Sequence, residues 1–549
     1  MHGRVKVRTT AEQDALKKKE RAEKLKKYRA GMSIVLQKRQ DKIYDEEILL
    51  VTERMLLQNP DINTLWNIRR EAFINNNWSP ELSEEFLKKE LTLTENCLRE
   101  NPKSYCVWHQ RTWIMDHMTQ PDWKRELMLC GKCLDLDDRN FHCWDYRQFA
   151  VQRAGVLPKE ELDFSTSKIL NNFSNYSSWH YRSLMLCKIF RDVDKTVINE
   201  KKKEELDLVL NATFTDPSDS SAWFYQRWLL DNVKSSVELT RALVSKNNAI
   251  LSFDQAVPAS SICLFVNNIK LEADWISTQK TKFSKFWNGV LLEDSMENAT
   301  EVAVKIQGHS YSLQLNDKSW IYKKNRKKEQ NYNQEQLYEQ LSSYKELAKM
   351  EPNNKWALLT GVLLMRKIDP IKLSHDIISN LTALVKVDAL RENYYNDLRS
   401  ECLLKCEIEK LRDKEDNSEI SDSINLSCLD LTTISSEEEF AFFKEVNLSG
   451  NNLSTALHHL SCLQNCRSLS LSSNQLKSLS RFPTLKNLNI LSLRNNELNN
   501  IQEILELIKR HNLSSIDLRE NPVFENSEKE LINLIAQLDP KIIVHPVHE

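Results

Sequence analysis

Glycine and proline are scarce, at 8 and 13 in 549 residues. So few glycines leave little room for turns that cradle phosphates, and neither Walker nor Rossmann spacing occurs. What is left suits long helices. No apolar run approaches the roughly 18 residues that a membrane helix needs. The start, Met1-His2-Gly3-Arg4, runs into charged sequence with no apolar leader core. A charge excess of either sign is also missing. Lys+Arg number 76 and Asp+Glu 78, so the net charge is −2 and there is no global basic field for nucleic acid. The expectation is a cytoplasmic protein that is not a membrane protein and has no nucleic-acid partner.

Cysteine is not scarce, and the 12 thiols fit the buried, reduced residues of such a compartment. One pair, Cys130-Gly131-Lys132-Cys133, has a spacing used by metal and redox sites. A zinc site would want a second pair or two histidines nearby, and neither is present, so two helical thiols is the better reading. Hydrophobic residues at 41% and charged residues at 28% describe a globular chain, long enough for two to four domains.

What the chain does have is repetition. Trp-x-x-Arg recurs as Trp66 with Arg69, Trp108 with Arg111, Trp144 with Arg147 and Trp179 with Arg182, and a looser copy pairs Trp223 with Arg227. The period, near 40 residues, belongs to stacked helical hairpins. Pro60, Pro102 and Pro217 stand six residues before a repeat Trp, where they can end one helix. Ser104, Asn140, Asn175 and Asp219 stand four before it and are good N-cap types. Each Trp therefore lies about one turn into the second helix of its hairpin, with Arg on the same face. Trp should fill the seam between hairpins, and Arg should bond carbonyl ends or acids of the neighbouring repeat.

Residues 8 to about 40 read as a charged helix, with a Lys-rich face best explained by solvation. Between Ile250 and Tyr322 short β-prone runs appear around Trp275, Trp287 and Trp320, as in a small antiparallel sandwich. Helical periodicity then resumes, and Glu351-Pro352-Asn353-Asn354-Lys355-Trp356 echoes the phrase before each repeat Trp, marking a degenerate sixth repeat. Residues 412 to 423 are a polar linker. Beyond it Asn451, Asn474, Asn496 and Asn521 are the key asparagines of four copies of one leucine-rich template, with Leu426 to Leu431 as an incomplete first copy. The expected fold is multidomain and mainly α. Helical hairpins occupy 1–239 and 332–415 as an α-α superhelix, an inserted immunoglobulin-like β-sandwich 240–331, and leucine-rich repeats 416–549.

Five such hairpins resemble the α subunits of the protein prenyltransferases. The order of helical array, inserted sandwich and leucine-rich repeats is similar to the Rab geranylgeranyltransferase branch of that family, over essentially the whole chain. Phrases that carry the likeness are Asn101-Pro102-Lys103-Ser104-Tyr105, Asn140-Phe141-His142-Cys143-Trp144 and Tyr176-Ser177-Ser178-Trp179-His180. The resemblance implies a heterodimer whose β subunit carries the zinc, the lipid pocket and most of the diphosphate contacts, with no metal bound by this chain. It implies transfer of geranylgeranyl from geranylgeranyl diphosphate to C-terminal cysteines of Rab GTPases, delivered by a Rab escort protein docked on the outer helical surface.

Within the repeats only the second has Lys five before its Trp. Lys103 stands where the others have Asp61, Arg139, Ser174 and Ser218. Lys103-Ser104-Tyr105-Cys106-Val107-Trp108 also matches the family's Lys-x-Tyr-x-x-Trp, whose Lys touches the isoprenoid diphosphate and whose Tyr lies near lipid and peptide. Lys103 and Tyr105 are thus the expected catalytic-support residues. His109, His142 and His180 sit on different hairpins and read as polar seam residues. His2 is a separate candidate, an N-terminal imidazole able to reach a partner's open zinc position and block it. Against the enzyme stands a non-enzymatic helical-repeat and leucine-rich-repeat scaffold that binds another protein. An α subunit shared with the other prenyltransferases is disfavoured by the two extra modules.

Overall fold

The computed structural model describes every residue except 1–10, 77, 191–194, 232–236, 278–280, 292–295, 317–318, 324–333, 413–421, 436 and 546–549. His2 and most of the linker at 412–423 therefore lie outside the described residues. The chain divides into two compact units, Met1–Ala212 with Asp219–Leu229, and Thr213–Ser218 with Leu230–Glu549.

The first unit is helical. It runs α1 (Ala11–Gln40), α2 (Glu46–Gln58), α3 (Asn63–Asn75), α4 (Pro80–Glu100), α5 (Tyr105–His117), α6 (Trp123–Leu136), α7 (Phe141–Ala154), α8 (Pro158–Asn171), α9 (Tyr176–Ile189), α10 (Lys195–Thr215) and α11 (Ser220–Asp231). The expected caps form. Ser104, Asn140 and Asn175 accept from the N–H groups of Val107, Cys143 and Ser177, and Asp219 from that of Ser221. Such caps are worth about 1 kcal/mol each.

The position six before each Trp does more than end a helix. The indole N–H of Trp66, Trp108, Trp144 and Trp179 donates to the carbonyl of Pro60, Pro102, Asp138 and Phe173, at 2.8, 2.9, 2.9 and 2.8 Å. The bond needs a carbonyl and not a proline, which is why two of the four positions are not proline. Some of these carbonyls accept twice. Asn140 Nδ2 donates to Pro102 and Asn175 Nδ2 to Asp138, both at 3.0 Å, so the cap of one hairpin is tied to the turn of the one before.

The repeat arginines are buried and each joins three helices. Arg111 donates to Glu126 at 2.6 and 2.7 Å, to the Leu91 carbonyl at 3.2 Å and to Thr94 at 2.9 Å. Arg147 repeats this with Glu161 and Leu127, and Arg182 with Glu205 and Leu162. Arg69 does the same with Glu90 and Leu49. The acid belongs to the next hairpin, as expected. The carbonyl belongs to the first helix of the same hairpin, 20 residues earlier in each case, and not to a helix end. A tyrosine two places after Trp completes three of the sets, because Tyr146, Tyr181 and Tyr225 donate to Glu126, Glu161 and Glu205 at 2.6 to 2.7 Å. Burial alone would lower the Arg111 guanidinium, yet its bonds to Glu126 hold it above its ordinary value. Burial and the Glu126 charge push the Tyr146 phenol up.

The fifth copy departs from this. Three places after Trp223 the chain has Gln226, which is fully buried in the arginine's seat. One residue is 100° of helix, so Arg227 leaves that face and its guanidinium stands 5.6 Å over the Phe224 ring. Arg227 is thus not a copy of the other four.

The second unit begins with nine strands. These are β1 (Leu239–Val244), β2 (Asn248–Pro258), β3 (Cys263–Val266), β4 (Ile269–Leu271), β5 (Asp274–Ile276), β6 (Phe283–Val290), β7 (Val302–Ile306), β8 (His309–Asn316) and β9 (Ser319–Lys323). They form one antiparallel sheet in the order β4-β3-β7-β8-β9-β1-β2-β6-β5. β4 and β5 end that order on opposite sides yet are joined by Glu272 and Ala273 alone, so the sheet must curl into a half-barrel. Trp287 and Trp320 are in its core, and Trp275 is half-covered against Gly289, where a Cβ would come within 2.7 Å of the ring.

Helices α12 (Gln334–Met350), α13 (Lys355–Ile368), α14 (Ser374–Val387) and α15 (Glu392–Arg412) follow. Asn354 caps α13 and its Nδ2 donates to the Pro217 carbonyl at 2.9 Å, the same bond that Asn140 and Asn175 make. A sixth repeat is therefore present, but in a register two residues later than Trp356 suggests. Four places after the cap is Leu358, which takes the indole's seat, and Gly361 takes the arginine's.

The last region is a six-stranded parallel sheet of β10 (Ser423–Asn425), β11 (Glu445–Asn447), β12 (Ser468–Ser470), β13 (Ile490–Ser492), β14 (Ser515–Asp517) and β15 (Ile543–Val544), in chain order. The four template asparagines are buried. Asn496 Nδ2 donates to the Leu471 and Leu493 carbonyls at 3.0 and 2.8 Å, and Asn451 Nδ2 likewise to Leu426 and Leu448. Each such side chain ties two consecutive turns.

Replacing Arg111 with Ala strands the Glu126 carboxylate in the core without its cation. The helical unit is expected to lose about 3–5 kcal/mol, read by urea titration with tryptophan fluorescence. A loss below about 1 kcal/mol would mean that the pair does not hold the seam.

Candidate functional site

The second helices of the first unit begin on the same face, because each of four Trp indoles is tied to the carbonyl six before it, and the caps of α7 and α9 are tied to the turn of the hairpin before. The residue three before Trp projects from that face. Tyr105, Phe141 and Tyr176 occupy this seat and are 68%, 50% and 53% exposed, so they are not core residues. They form the spine of an open aromatic row. The ring centroids of Tyr105 and Phe141 are 6.0 Å apart, His142 meets Tyr105 edge-on at 4.1 Å, and His180 stacks on Tyr176 at 6.1 Å. Phe224 extends the row, edge-on to Tyr176 at 6.4 Å.

Lys103 lies at one end of this row. Its backbone N–H donates to Asn101 Oδ1 at 3.2 Å, and its neighbour Pro102 offers the carbonyl that accepts from both Trp108 and Asn140. The main chain is fixed while the side chain stays mostly exposed. Lys103 Nζ meets Asp137 Oδ2 at 3.1 Å, in a pair open to solvent. Arg139, in the same seat one hairpin on, instead donates to the Ser174 carbonyl at 2.9 Å and serves the seam.

The structure thus brings Lys103 and Tyr105 to one open face and adds His142 to them. The three histidines expected in the seams divide. His109 is exposed too, but it contacts the neighbouring hairpin, with Arg70 Nη2 2.9 Å from its Nδ1. His180 instead stacks on Tyr176 of its own helix, exposed on the aromatic row. His142 is buried against Tyr105, where burial and then the Lys103 charge lower its pKa, partly opposed by Asp145. A neutral imidazole, a mobile ammonium and a row of rings form a surface suited to an anion carrying an apolar chain. The aromatic seat was legible in the sequence, since Tyr105, Phe141 and Tyr176 share one offset from Trp. The His142 contact was not, because it lies across two hairpins. Among the described residues no group of three or more His, Cys, Asp or Glu is placed to hold a metal ion, and no helix is long and apolar enough to cross a membrane.

The profile of the protein prenyltransferase alpha subunit repeat matches residues 87–118, 123–154, 158–189 and 202–233. These stretches contain the second to fifth Trp phrases. The geranylgeranyl transferase type-2 subunit alpha of Bos taurus is 36% identical over 98% of this chain and 99% of its own length. The chain belongs to that family. It is a subunit of a type II geranylgeranyltransferase. The Homo sapiens subunit alpha is 36% identical over 87% of this chain and 88% of its own. That of Saccharomyces cerevisiae is 35% identical over 35% of this chain and 60% of its own.

In this type-2 α subunit the His142 proton reports on Lys103. The folded His142 pKa lies below its ordinary 6.5, so the unfolded chain takes the proton first, and a stability penalty appears as pH falls below 6.5. Histidine-selective NMR titration should place the His142 midpoint below 6.5 in the wild type and closer to it in Lys103→Ala, which removes a nearby positive charge. An unchanged midpoint in the variant would separate the two residues.

Proposed function

We propose that this chain is the non-zinc-binding subunit of a heterodimer that transfers geranylgeranyl from geranylgeranyl diphosphate to C-terminal cysteine thiols of Rab GTPases. A β subunit holds the zinc, which when bound supplies the thiol as a thiolate. The thiol sulfur attacks C1 of the isoprenoid and the C–O bond breaks. The thioether forms, and the diphosphate leaves with the bonding pair. Lys103 meets the negative charge that builds on the leaving diphosphate. To do so its ammonium exchanges Asp137 for the diphosphate. Tyr105 and the aromatic row flank the isoprenoid and the peptide. The observation that carries this assignment is Lys103 on a fixed turn with an exposed side chain, beside Tyr105 and His142. Family membership also removes the scaffold alternative.

The finer reading of the remaining modules is that the half-barrel, within 240–331, is an immunoglobulin-like sandwich. The parallel region, within 416–549, is a set of leucine-rich repeats, supported by the buried Asn ladder. Segments 1–239 and 332–415 are the first and last parts of a set of prenyltransferase-type helical repeats. The protein works in the cytoplasm, and the outer helical surface docks a Rab escort protein. His2 is proposed to cap the partner's open zinc position, and a His2→Ala heterodimer with an unchanged rate at limiting substrate would end that idea.

In an intact heterodimer, Lys103→Ala is expected to lower the transfer rate or the lipid-diphosphate affinity by tenfold or more, about 1.4 kcal/mol. Lys103→Arg should recover part of it, because the charge is retained. Wild-type rate and affinity in Lys103→Ala would remove Lys103 from the site.

A further inference from the structure

Gly361 on α13 takes the seat that arginine holds in four earlier hairpins, and a cavity of about 430 Å³ opens beside it between α12, α13 and α14. The residues 20, 17 and 16 before Arg111 are Leu91, Thr94 and Glu95, and all three accept from its guanidinium. Counted from Gly361, the same places are Leu341, Tyr344 and Lys345, and all three line the cavity. Asp376 lines it from α14, 15 residues after Gly361, as Glu126 stands 15 after Arg111. The cavity is therefore the arginine's seat with a glycine in place of the arginine.

The charges at the seat fit that replacement. Arg111 lies between two acids, Glu95 at 3.3 Å and Glu126 at 2.6 Å. In the sixth repeat the two places carry Lys345 and Asp376, which pair directly at 2.9 Å, so α12 and α14 are bridged without a side chain from α13. Packing does not account for the glycine itself. Glycine inside a helix is less stable than alanine. At Gly289 the neighbouring indole forbids a Cβ, whereas at Gly361 a Cβ would meet only Asn380 Nδ2, at an ordinary 3.6 Å. The fold leaves room for a side chain here and the chain has none. A molecule lying against the backbone of α13 supplies the reason that the fold does not.

The lining says what kind of molecule. Leu341, Tyr344 and Leu358 are buried and make an apolar floor. Lys345 and Lys349, one turn apart on α12, are exposed at its edge, and Ala357 brings the positive first turn of α13 to it. Asp376 is the only carboxylate in the lining, and it is already paired. A cavity of this size, apolar within and cationic at the rim, suits an apolar body with an anionic head. We propose that it binds a small amphiphile with one carboxylate or phosphate. The chain lies along Leu358 and Gly361, and the head takes Lys345 from Asp376 and meets Lys349. The Lys345–Asp376 pair is half exposed, so this exchange costs little. The site is independent of the role proposed for Lys103.

The probe is dodecanoate bearing a terminal diazirine, with dodecyl phosphate and dodecanol of the same design as the other two arms. Each is irradiated with the purified heterodimer over a range of concentrations, and the labelled peptides of this chain are mapped. The expected result is saturable labelling of α12 or α13 at the cavity by the carboxylate, the phosphate or both, and at least several-fold weaker labelling by the alcohol. Lys349→Glu should weaken the labelling several-fold. Gly361→Leu should reduce it tenfold or more by filling the floor. Gly361→Ala is the control for folding, since it should raise the melting temperature of the heterodimer and still weaken the labelling. Labelling that does not saturate, that falls only elsewhere in the chain, or that persists unchanged in both Gly361 variants overturns the site. Equal labelling by the alcohol overturns the anionic head.

Discussion

A buried guanidinium cannot be left alone, and that constraint organises the helical unit. Taking Arg and Glu out of water costs several kcal/mol per ion, and only a well-formed pair with its remaining hydrogen-bonding groups satisfied offsets this. Each seam meets the condition in the same way. The arginine fork faces the acid of the next hairpin, another of its N–H groups takes a carbonyl of its own hairpin, and tyrosine occupies a spare lone pair of the carboxylate in three seams. Hydrophobic seams alone would tolerate some sliding of one hairpin over the next. A forked pair with a third partner does not, because sliding by one residue would leave a charge uncompensated in the core. The rotation of each hairpin relative to its neighbour is therefore set by chemistry inside the seam.

That rotation is what lays the aromatic row on one face. The seats three and five before Trp repeat in space because each Trp is fixed to its own turn and some caps are fixed to the turn before. The carbonyl six before Trp couples the two, accepting the indole of its own hairpin and, at Pro102 and Asp138, the cap amide of the next. Lys103 follows one of these carbonyls directly. The rigidity of the scaffold ends at its backbone and the freedom of the site begins at its side chain.

The pattern of tryptophans was legible because Trp is rare and large, so its period stands out from a chain of ordinary composition. The acids that complete the seams were not. Glu90, Glu126, Glu161 and Glu205 fall 21, 15, 14 and 23 residues after their arginines, since the loops between hairpins vary in length. No fixed offset marks them among 78 acidic residues. The sixth repeat echoes the entry phrase in sequence, but Trp356 does not show its register. The bond from Asn354 to Pro217 defines the register, and a large side chain two places early does not. In the parallel region the asparagine offset is nearly constant, so the buried Asn positions stand out in the sequence. Strand positions in the half-barrel were legible from alternation, but closure depends on pairings between distant strands, which alternation does not encode.

The contrast between Lys103 and Arg139 supports the proposal that Lys103, of the two, meets the diphosphate. Both stand five before a repeat Trp, and both lie beside the aromatic row. Arg139 has given a hydrogen bond to the Ser174 carbonyl, a neutral acceptor that no arriving anion replaces without breaking the contact between hairpins. Lys103 pairs with Asp137 in solvent, where such a bond contributes about 0–1 kcal/mol. A diphosphate, with more charge and more acceptor oxygens than one carboxylate, can take the ammonium at little cost. In the proposed reaction Asp137 is the placeholder that the anion replaces on the lysine. Exchange of partners, and not release from solvent, is the step that this side chain performs in the proposed reaction.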